Sequence, residues 1–549
     1  MQPTQYYIDI TPDNLSHCLE CRLNISSQEI SVIQRPMADL MLEDVDELLR
    51  FLNCDERQNY FVSYVFRGGS ISPHLSGLIG SVENLRSLFS SGRITTFELR
   101  EIRSSPEGAG LLAKLFSSFM IQKLCFLSNY QVLDDVKNLA ALLPETRIQN
   151  LDLSGNHIRS NEIRVLAAIL PITMIRSLNF GFNAITCDGA IVLARVLPNT
   201  RIRYLSFWGN RIESKGAKAL VKALPTTRIK MLNLGFENTI GSRGAKALIE
   251  ALPMTRIQIL NLFSSGIEPE EVIALARVLT MTRIHTLDLG GNYIGFNAAN
   301  ALARVLVESR IRTLRLESNG IGFHAVETLA GVLHKTRIQK LNLSSNNIGD
   351  RGVGALAKIL PMTGIQDLGI GYNGIGSKGV MALATALPYT RIQVLDIAGN
   401  DEIELDSLRA LKRSILKSRI KKLKILGSLP SSDEAMDISH EINASGIVLD
   451  RNELLYEANE FVLGLRRSQM LCAYLDSLRF QSVLKMFLMG MELGSASSLL
   501  LNVSPWSSLE SATWAAEPGR IHFFSLPAKA PAQSAQSSAG RENVPGPSR

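Results

Sequence analysis

The sequence predicts an α/β solenoid in which a parallel inner sheet is backed by an outer layer of helices. Three observations predict it. A block of 27 residues recurs between Ile94 and Leu423, a short stretch of each block alternates apolar and polar residues, and the remainder carries apolar residues at helical spacing. At 549 residues the chain exceeds the ~250–300 at which one globular core stops growing, a limit that stacked repeats avoid.

An Arg-Ile pair precedes each predicted strand and sets the frame of the repeat. Met174-Ile175 and Gly364-Ile365 replace the pair in two blocks, and single-residue insertions fall near Asn238 and Asp401. The arginines of the pair are Arg147, Arg201, Arg228, Arg256, Arg283, Arg310, Arg337, Arg391 and Arg419. A frame that holds this closely predicts one strand per block, and therefore twelve or thirteen parallel strands from near Phe97 to Leu423.

Each block divides into a strand and a helix. In the stretch 148–153, Leu151 and Leu153 are expected to point inward, with Asn150 and Asp152 outward. The stretch 163–170 has the apolar spacing of a helix, and Pro171 follows its last leucine, where the helix must end. The alternation therefore places the strands on an inner face and the helices outside.

A column of asparagines follows the strands. A buried loop leaves backbone N–H and C=O groups without partners, and a stacked side-chain amide can both donate to and accept from them. We therefore expect a structural role, with the column weakest at Ser265, which replaces one amide. Its members are Asn129, Asn156, Asn183, Asn210, Asn238, Asn292, Asn319, Asn346, Asn373 and Asn400.

Two interpretations remain open for the arginine column. Each arginine follows a helix C-terminus, where a cation complements the helix dipole and can bond the last carbonyls. Alternatively, the stacked arginines form a track for a polyanion. We favour the structural interpretation, because the aliphatic stems also cover the neighbouring repeats.

The frame Leu-x-Leu-x-x-Asn-x-Ile, followed by Gly-Ala-x-Ala-Leu-Ala-x-x-Leu-Pro, resembles the ribonuclease-inhibitor-like class of leucine-rich repeats over residues 94–425. That class includes Ran GTPase-activating proteins and the sensing arms of NOD-like receptors. The Leu-Pro-x-Thr-Arg-Ile junctions also resemble repeat proteins of intracellular bacteria, which often act inside host cells. The resemblance implies a horseshoe-shaped solenoid that binds proteins. The sequence contains no phosphate-binding loop of the kind that a NOD-like receptor would carry.

The composition divides the chain into four regions. Residues 1–92 are predicted to be a partly helical N-terminal cap, with an amphipathic helix from Ala38 to Asn53, and residues 93–427 hold the repeats. Residues 428–493 are predicted to be a helical C-terminal cap with a methionine-rich face, for which docking is the alternative. Residues 494–549 are rich in Ser, Ala and Pro, a composition typical of disorder and compatible with an export signal.

Net charge and cysteine content limit which kinds of partner, and which cellular compartment, are expected. The net charge is +7, with the basic residues spread over the repeats, so a nucleic-acid partner is not expected. No apolar stretch is long enough to predict a membrane span. Six scattered cysteines favour a reducing, cytoplasmic setting, which can be that of a host cell. Cys18-x-x-Cys21 lacks a second ligand pair, so we expect no metal and no cofactor.

The outward strand positions predict where a partner binds. Most carry small polar residues, but the blocks between residues 180 and 265 carry an apolar patch. Its predicted members are Tyr204, Trp208, Met231, Ile259 and Phe263, with Phe182 and Phe236 at the loop edge. A polar rim of Asp288, Arg315, Glu317 and Lys340 continues the same face. Exposed apolar patches with Trp and Tyr mark partner sites, although some of these side chains can instead fold over the loops and fill gaps.

We expect a non-enzymatic scaffold that holds a protein partner on this face, of unspecified oligomeric state. The eight histidines fall at unrelated repeat positions, and no nucleophile recurs in phase with them. The alternative function is that of a Ran-activator-like GTPase-activating protein. Its candidate residue is Arg211, the arginine that directly follows a repeat asparagine.

Overall fold

A computed structural model describes residues 7–9, 19–24, 29–34, 48, 50–52, 61–67, 94–100, 121–127, 133–236, 238–400, 403–425 and 433–450. Within these ranges, eighteen strands form one sheet. They are β1 Tyr7–Asp9, β2 Leu19–Asn24, β3 Glu29–Gln34, β4 Phe61–Arg67, β5 Ile94–Arg100, β6 Lys123–Leu127, β7 Asn150–Asp152, β8 Ser177–Asn179, β9 Tyr204–Ser206, β10 Met231–Asn233, β11 Ile259–Asn261, β12 Thr286–Asp288, β13 Thr313–Arg315, β14 Lys340–Asn342, β15 Asp367–Gly369, β16 Val394–Asp396, β17 Lys422–Lys424 and β18 Val448–Asp450.

A helix follows each strand from β6 to β17, and most of these helices end in a short 3-10 turn that contains the proline. They are α1 Leu133–Leu142, α2 Ser160–Ile169, α3 Cys187–Val196, α4 Glu213–Ala223, α5 Gly241–Ala251, α6 Pro269–Leu279, α7 Gly295–Leu306, α8 Gly322–Leu333, α9 Gly349–Ile359, α10 Ser377–Ala386, α11 Leu405–Ile415 and α12 Asp433–Ala444. None of the helices described here has the length and apolar character needed to span a membrane.

The strands pair in parallel, each with the next along the chain. From β3 to β18 every pairing is parallel, and the register of the repeats holds: Thr286 lies beside Thr313, which lies beside Lys340. Between Phe97 and Leu423 the described residues contain thirteen strands, β5 to β17, as the sequence predicts. The chain therefore folds as a leucine-rich-repeat solenoid, with parallel strands on one side and helices on the other.

The sheet extends past both ends of the repeat region. At the N-terminal end, β1 and β2 pair antiparallel, as do β2 and β3, so the parallel order stops within residues 1–92. Of the expected helix from Ala38 to Asn53, Leu48 and residues 50–52 are described, and they are helical. Past residue 427, α12 is followed by β18, which adds a further parallel strand. The methionine-rich segment and the tail lie outside the described residues.

Alternating burial confirms the predicted faces of the strands. Leu287 and Leu289 are fully buried against the helices, whereas Thr286 is only half-buried on the open side of the sheet. Alanine and glycine at helix positions such as Gly216 and Ala217 are buried between neighbouring helices. A β-carbon at Gly216 would meet Cys187 Cα at 2.9 Å, so the small residue permits the close approach of α3 and α4.

The asparagine column bonds each repeat to the next. Asn183 Oδ1 accepts hydrogen bonds from the backbone N–H groups of Asn156 and Ile158, at 3.0 and 2.9 Å. Its Nδ2 donates to the carbonyl oxygens of Leu153 and Phe180, at 2.8 and 2.9 Å. At the substituted position, Ser265 Oγ still donates to Leu234 O at 3.1 Å. The column is structural, as predicted. Asn129 lies outside the described residues.

A column of threonines, which the repeat pattern does not predict, caps the C-terminal ends of the helices. Thr282 Oγ1 donates to Leu279 O at 2.7 Å and lies 3.4 Å from the backbone nitrogen of Ile284. The same arrangement recurs in the other repeats, with Ser309 in one of them. The hydroxyl thus satisfies the last helical carbonyl, a role for which the arginine column was a candidate. The arginines of that column are exposed.

Candidate functional site

The apolar patch begins as a row on the open side of the sheet. The strand pairings place Met231 beside Tyr204 on one side and beside Ile259 on the other. Tyr204 is 43% exposed, and the other two are half-buried. Since neighbouring strands lie ~4.8 Å apart, the three side chains form one continuous apolar strip. Beyond Tyr204 the same face becomes polar, because Asp152 and Asn179 line a cavity of about 310 Å³ there.

Trp208 and Phe263 form a second layer just past the strands. A β-carbon on Gly235 would lie 2.9 Å from the Trp208 ring, and one on Gly290 would lie 2.6 Å from the Phe263 ring. Each ring therefore covers a glycine of the following repeat. The two rings also stack on each other, with centroids 5.6 Å apart. Both are half-buried, so the alternative that some aromatic residues fold over the loops holds for part of their surface.

Phe236 packs beneath this layer as a buried ring. It is 4% exposed, and its ring lies 5.4 Å from that of Trp208 and 5.9 Å from that of Phe182. Burial removes Phe236 from the surface, which corrects the prediction that it contacts a partner. Phe182 is 38% exposed and adopts the left-handed conformation, with φ of 49°. The equivalent positions of other repeats share this conformation, as at Phe236 and Tyr372, so it is a feature of the repeat and does not mark a site.

A repeating pattern in the sequence could have indicated this packing. The position that follows the last inward strand residue is alternately large and small over five repeats. In order along the chain these residues are Trp208, Gly235, Phe263, Gly290 and Glu317. Each large side chain has a glycine neighbour over which to lie. The 27-residue frame alone does not show the pattern, because it requires one position to be compared across repeats.

The predicted polar rim is largely paired within the chain. Asp288 is 5% exposed, its Oδ2 lies 3.7 Å from Arg315 Nη1, and it accepts hydrogen bonds from the Asn261 amide and from the N–H of Gly290. The prediction that Asp288 orients a partner directly is therefore corrected: its burial leaves Arg315 as the half-exposed member of the pair. Lys340 is exposed and lies 3.7 Å from Asp367.

Glu317 is an acidic residue whose carboxyl group is partly inaccessible to water. Its Oε2 is inaccessible and has no hydrogen-bond partner among the described residues, and its carboxyl group lies against Gly290. Burial, and then the charge of Asp288, raise the pKa of Glu317 to about 8. Burial also raises the pKa of Asp288, against the opposing effect of Arg315. Two neighbouring carboxyl groups thus share one nearby cation at the end of the aromatic layer.

The remaining candidates lie elsewhere. Arg211 is half-buried in the loop after β9, its backbone N–H donates to Ile185 O at 2.9 Å, and its Nε is inaccessible. His285 Nδ1 lies 3.1 Å from the neighbouring Thr286 hydroxyl. In the described part of the chain, no three His, Cys, Asp or Glu side chains come together as a metal site requires.

A family model described as Leucine Rich repeat matches residues 172–194, 334–357 and 365–384. These three stretches are leucine-rich repeats, in keeping with the solenoid fold. Comparison with curated protein sequences gives no match. Among solved structures, the chain is similar to the Rad7 and Elc1 complex in yeast, at 14% identity and a TM-score of 0.44, over 64% of this chain and 84% of that one. It is also similar to an internalin from Listeria monocytogenes, at 15% identity and a TM-score of 0.33, over 58% of this chain and 82% of that one.

Proposed function

We propose that this leucine-rich-repeat protein is a non-enzymatic scaffold that holds a protein partner on the open side of its sheet. The observation that carries the proposal is the contiguous row of Tyr204, Met231 and Ile259, together with the half-exposed rings of Trp208, Phe263 and Phe182. Large apolar side chains that meet on a surface are typical of interfaces, and Trp and Tyr dominate binding hot spots.

The geometry of the stack suits such a role. A helix needs ~10 Å of width and a strand ~4.8 Å, so stacking them in register curves the sheet toward its open side. We take that side to be concave, in the manner of the ribonuclease-inhibitor-like repeats. The Trp208 ring is held by stacking on Phe236 and on Phe263, so little of its side-chain entropy is lost on binding.

The proposal also places the protein in the cytoplasm, including that of a host cell if the chain is a bacterial effector. The resemblance of the Leu-Pro-x-Thr-Arg-Ile junctions to repeat proteins of intracellular bacteria supports this setting. So does the use of cysteine, because six scattered cysteines are too few for a disulfide framework in a chain of 549 residues.

The test is capture of a partner from cell lysate with three versions of the full chain: the native protein, Tyr204→Ala with Met231→Ser, and the matched control Thr313→Ala. Thr313 lies on the same face, three strands from Met231 and outside the patch. We expect the native protein and the control to enrich the same partner, and the double variant to lose it. Equal capture by all three would show that the patch is not the interface.

A further inference from the structure

The basic residues that are scattered in the sequence lie together in the fold. We define the entry edge as the segments that lead from each helix into the next strand: residues 144–149, 171–176, 198–203, 225–230, 253–258, 280–285, 307–312, 334–339, 361–366, 388–393 and 416–421. This edge holds two carboxylates, Glu145 and Glu308. Its sixteen cations are Arg147, Arg176, Arg201, Arg203, Arg228, Lys230, Arg256, Arg283, Arg310, Arg312, Lys335, Arg337, Arg391, Lys417, Arg419 and Lys421.

The excess of positive charge is concentrated at this edge. The edge holds sixteen cations and two carboxylates, whereas the chain as a whole has nearly balanced charges, with 58 basic and 51 acidic residues. The parallel register brings the cations close: Arg312 N–H donates to His285 O at 2.8 Å, and Gln339 N–H donates to Arg312 O at 2.8 Å. In the middle of the edge, Arg283, Arg310 and Arg337 line one open cavity of about 970 Å³.

The same edge also presents apolar tips. Among the described residues, the five most exposed large apolar side chains all stand directly before the recurring Thr-Arg step or its equivalent, and they are 64 to 75% exposed. They are Ile172, Met254, Met281, Met362 and Tyr389. Met281 lines the cavity that Arg283 and Arg310 line, so the tips stand among the cations.

We propose that the entry edge docks on a membrane surface that contains anionic lipid. The arginines and lysines would face the negatively charged headgroups, and the apolar tips would enter the headgroup region. Stable attachment generally needs two signals, and this edge supplies both a polybasic row and apolar anchors. Docking by the entry edge leaves the open side of the sheet, and its patch, accessible to a protein partner.

The apolar tips decide between a membrane and a nucleic acid. The cations could bind the phosphates of a nucleic acid as well as those of a lipid. Exposed Met and Ile side chains, however, make neither charge nor stacking contacts with a nucleic acid, and proteins that bind single strands use aromatic side chains on which the bases stack. Here Tyr389 is the single aromatic tip. A bilayer with anionic lipid can bind both the cations and the apolar tips. Because its surface is fluid, it does not require a complementary shape, so separate tips can insert independently.

The experiment is co-sedimentation of the full-length protein with vesicles of phosphatidylcholine alone and with vesicles that also contain phosphatidylserine, at low and high salt. The charge variant is Arg283→Gln, Arg310→Gln and Arg337→Gln. Its control removes the same charge from exposed positions of the outer helices, with Lys218→Gln, Lys222→Gln and Lys358→Gln. The apolar variant is Met254→Ser with Met281→Ser, and its control is Tyr293→Ser with Phe296→Ser, at exposed positions on the opposite edge.

We expect binding to the anionic vesicles that weakens with salt, a loss of roughly tenfold or more in the charge variant, and a several-fold loss in the apolar variant. Both controls should bind as the native protein does. Equal binding to the two kinds of vesicle, no binding to either, or equal losses in the controls would overturn the proposal. So would tighter binding to duplex DNA that the apolar variant leaves intact, because the edge would then be a nucleic-acid surface.

Discussion

The Trp208 ring lies parallel to that of Phe236, with 5.4 Å between centroids and 12° between ring planes. The buried Phe236 therefore holds the half-exposed Trp208 in place from below. The consequence is that Trp208 contributes to the stability of the fold and to the candidate interface together. A change at Trp208 alone cannot separate the two roles, whereas a change at the more exposed Tyr204 can.

Trp208→Ala is expected to lower both the stability and the partner affinity. It removes stacking on Phe236 and Phe263 and uncovers Gly235, and each ring pair is worth ~0.5–1.5 kcal/mol beyond burial. Tyr204→Ala should leave the thermal midpoint nearly unchanged, yet reduce affinity by ~2 kcal/mol if Tyr204 is a hot spot. Thermal melts and titration of the two variants give all four values. If Tyr204→Ala binds as the native chain does, the row is not the interface.

The sequence predicts the frame of this fold well because the frame depends on repetition. Leu287 is inward and Thr286 outward for the same reason in every block, namely the period-two alternation of a strand. The burial of Phe236 and Asp288 could not be predicted in this way. It depends on how side chains of neighbouring blocks lean over glycines such as Gly290, and the frame sets only where each side chain starts. Nine cations of the entry edge are visible in the sequence as the arginine column, but the other seven and the apolar tips are not, because they never form a run in the sequence.

The asparagine column predicts unequal effects of substitution. In Asn319→Ala, the N–H of Asn292, the N–H of Ile294 and Leu289 O lose the bonds that the Asn319 amide makes. Each buried polar group left unpaired costs ~1–3 kcal/mol, so the total should exceed ~3 kcal/mol. Ser265→Ala removes the donor to Leu234 O and should cost ~1 kcal/mol. Urea denaturation measures both. Equal losses would mean that the serine substitution does not weaken the column.

Phe182 offers a test of backbone strain. Its φ is 49°, and glycine fills the equivalent position in neighbouring repeats, as at Gly155 and Gly209. Phe182→Gly relieves the left-handed strain and Phe182→Ala does not, although both remove the ring that touches Phe236. The glycine variant should therefore be more stable than the alanine variant by ~1 kcal/mol, the reverse of the usual order. Chemical denaturation of the pair checks this. An alanine variant at least as stable would show that no strain is stored at this position.

Glu317 makes stability depend on pH. Burial and the nearby Asp288 raise its pKa to about 8 in the folded chain, above the ordinary value of 4.5. Between these values the folded state holds a proton that the unfolded state has released. Stability is therefore full at low pH and is lost as pH rises toward 8, with a limiting slope of ~1.4 kcal/mol per pH unit for one proton.

Glu317→Gln keeps the shape of the side chain and removes its titration. The variant should differ least from the native protein near pH 5, just above the ordinary pKa of 4.5, because the native chain has lost little of its stability there. It should be the more stable of the two above pH 8, where the native carboxylate is charged beside Asp288 with an Oε2 that lacks a hydrogen bond among the described residues. Urea midpoints from pH 5 to pH 9 provide the comparison. Parallel curves at every pH would mean that Glu317 reaches water in solution and titrates as an ordinary carboxyl group.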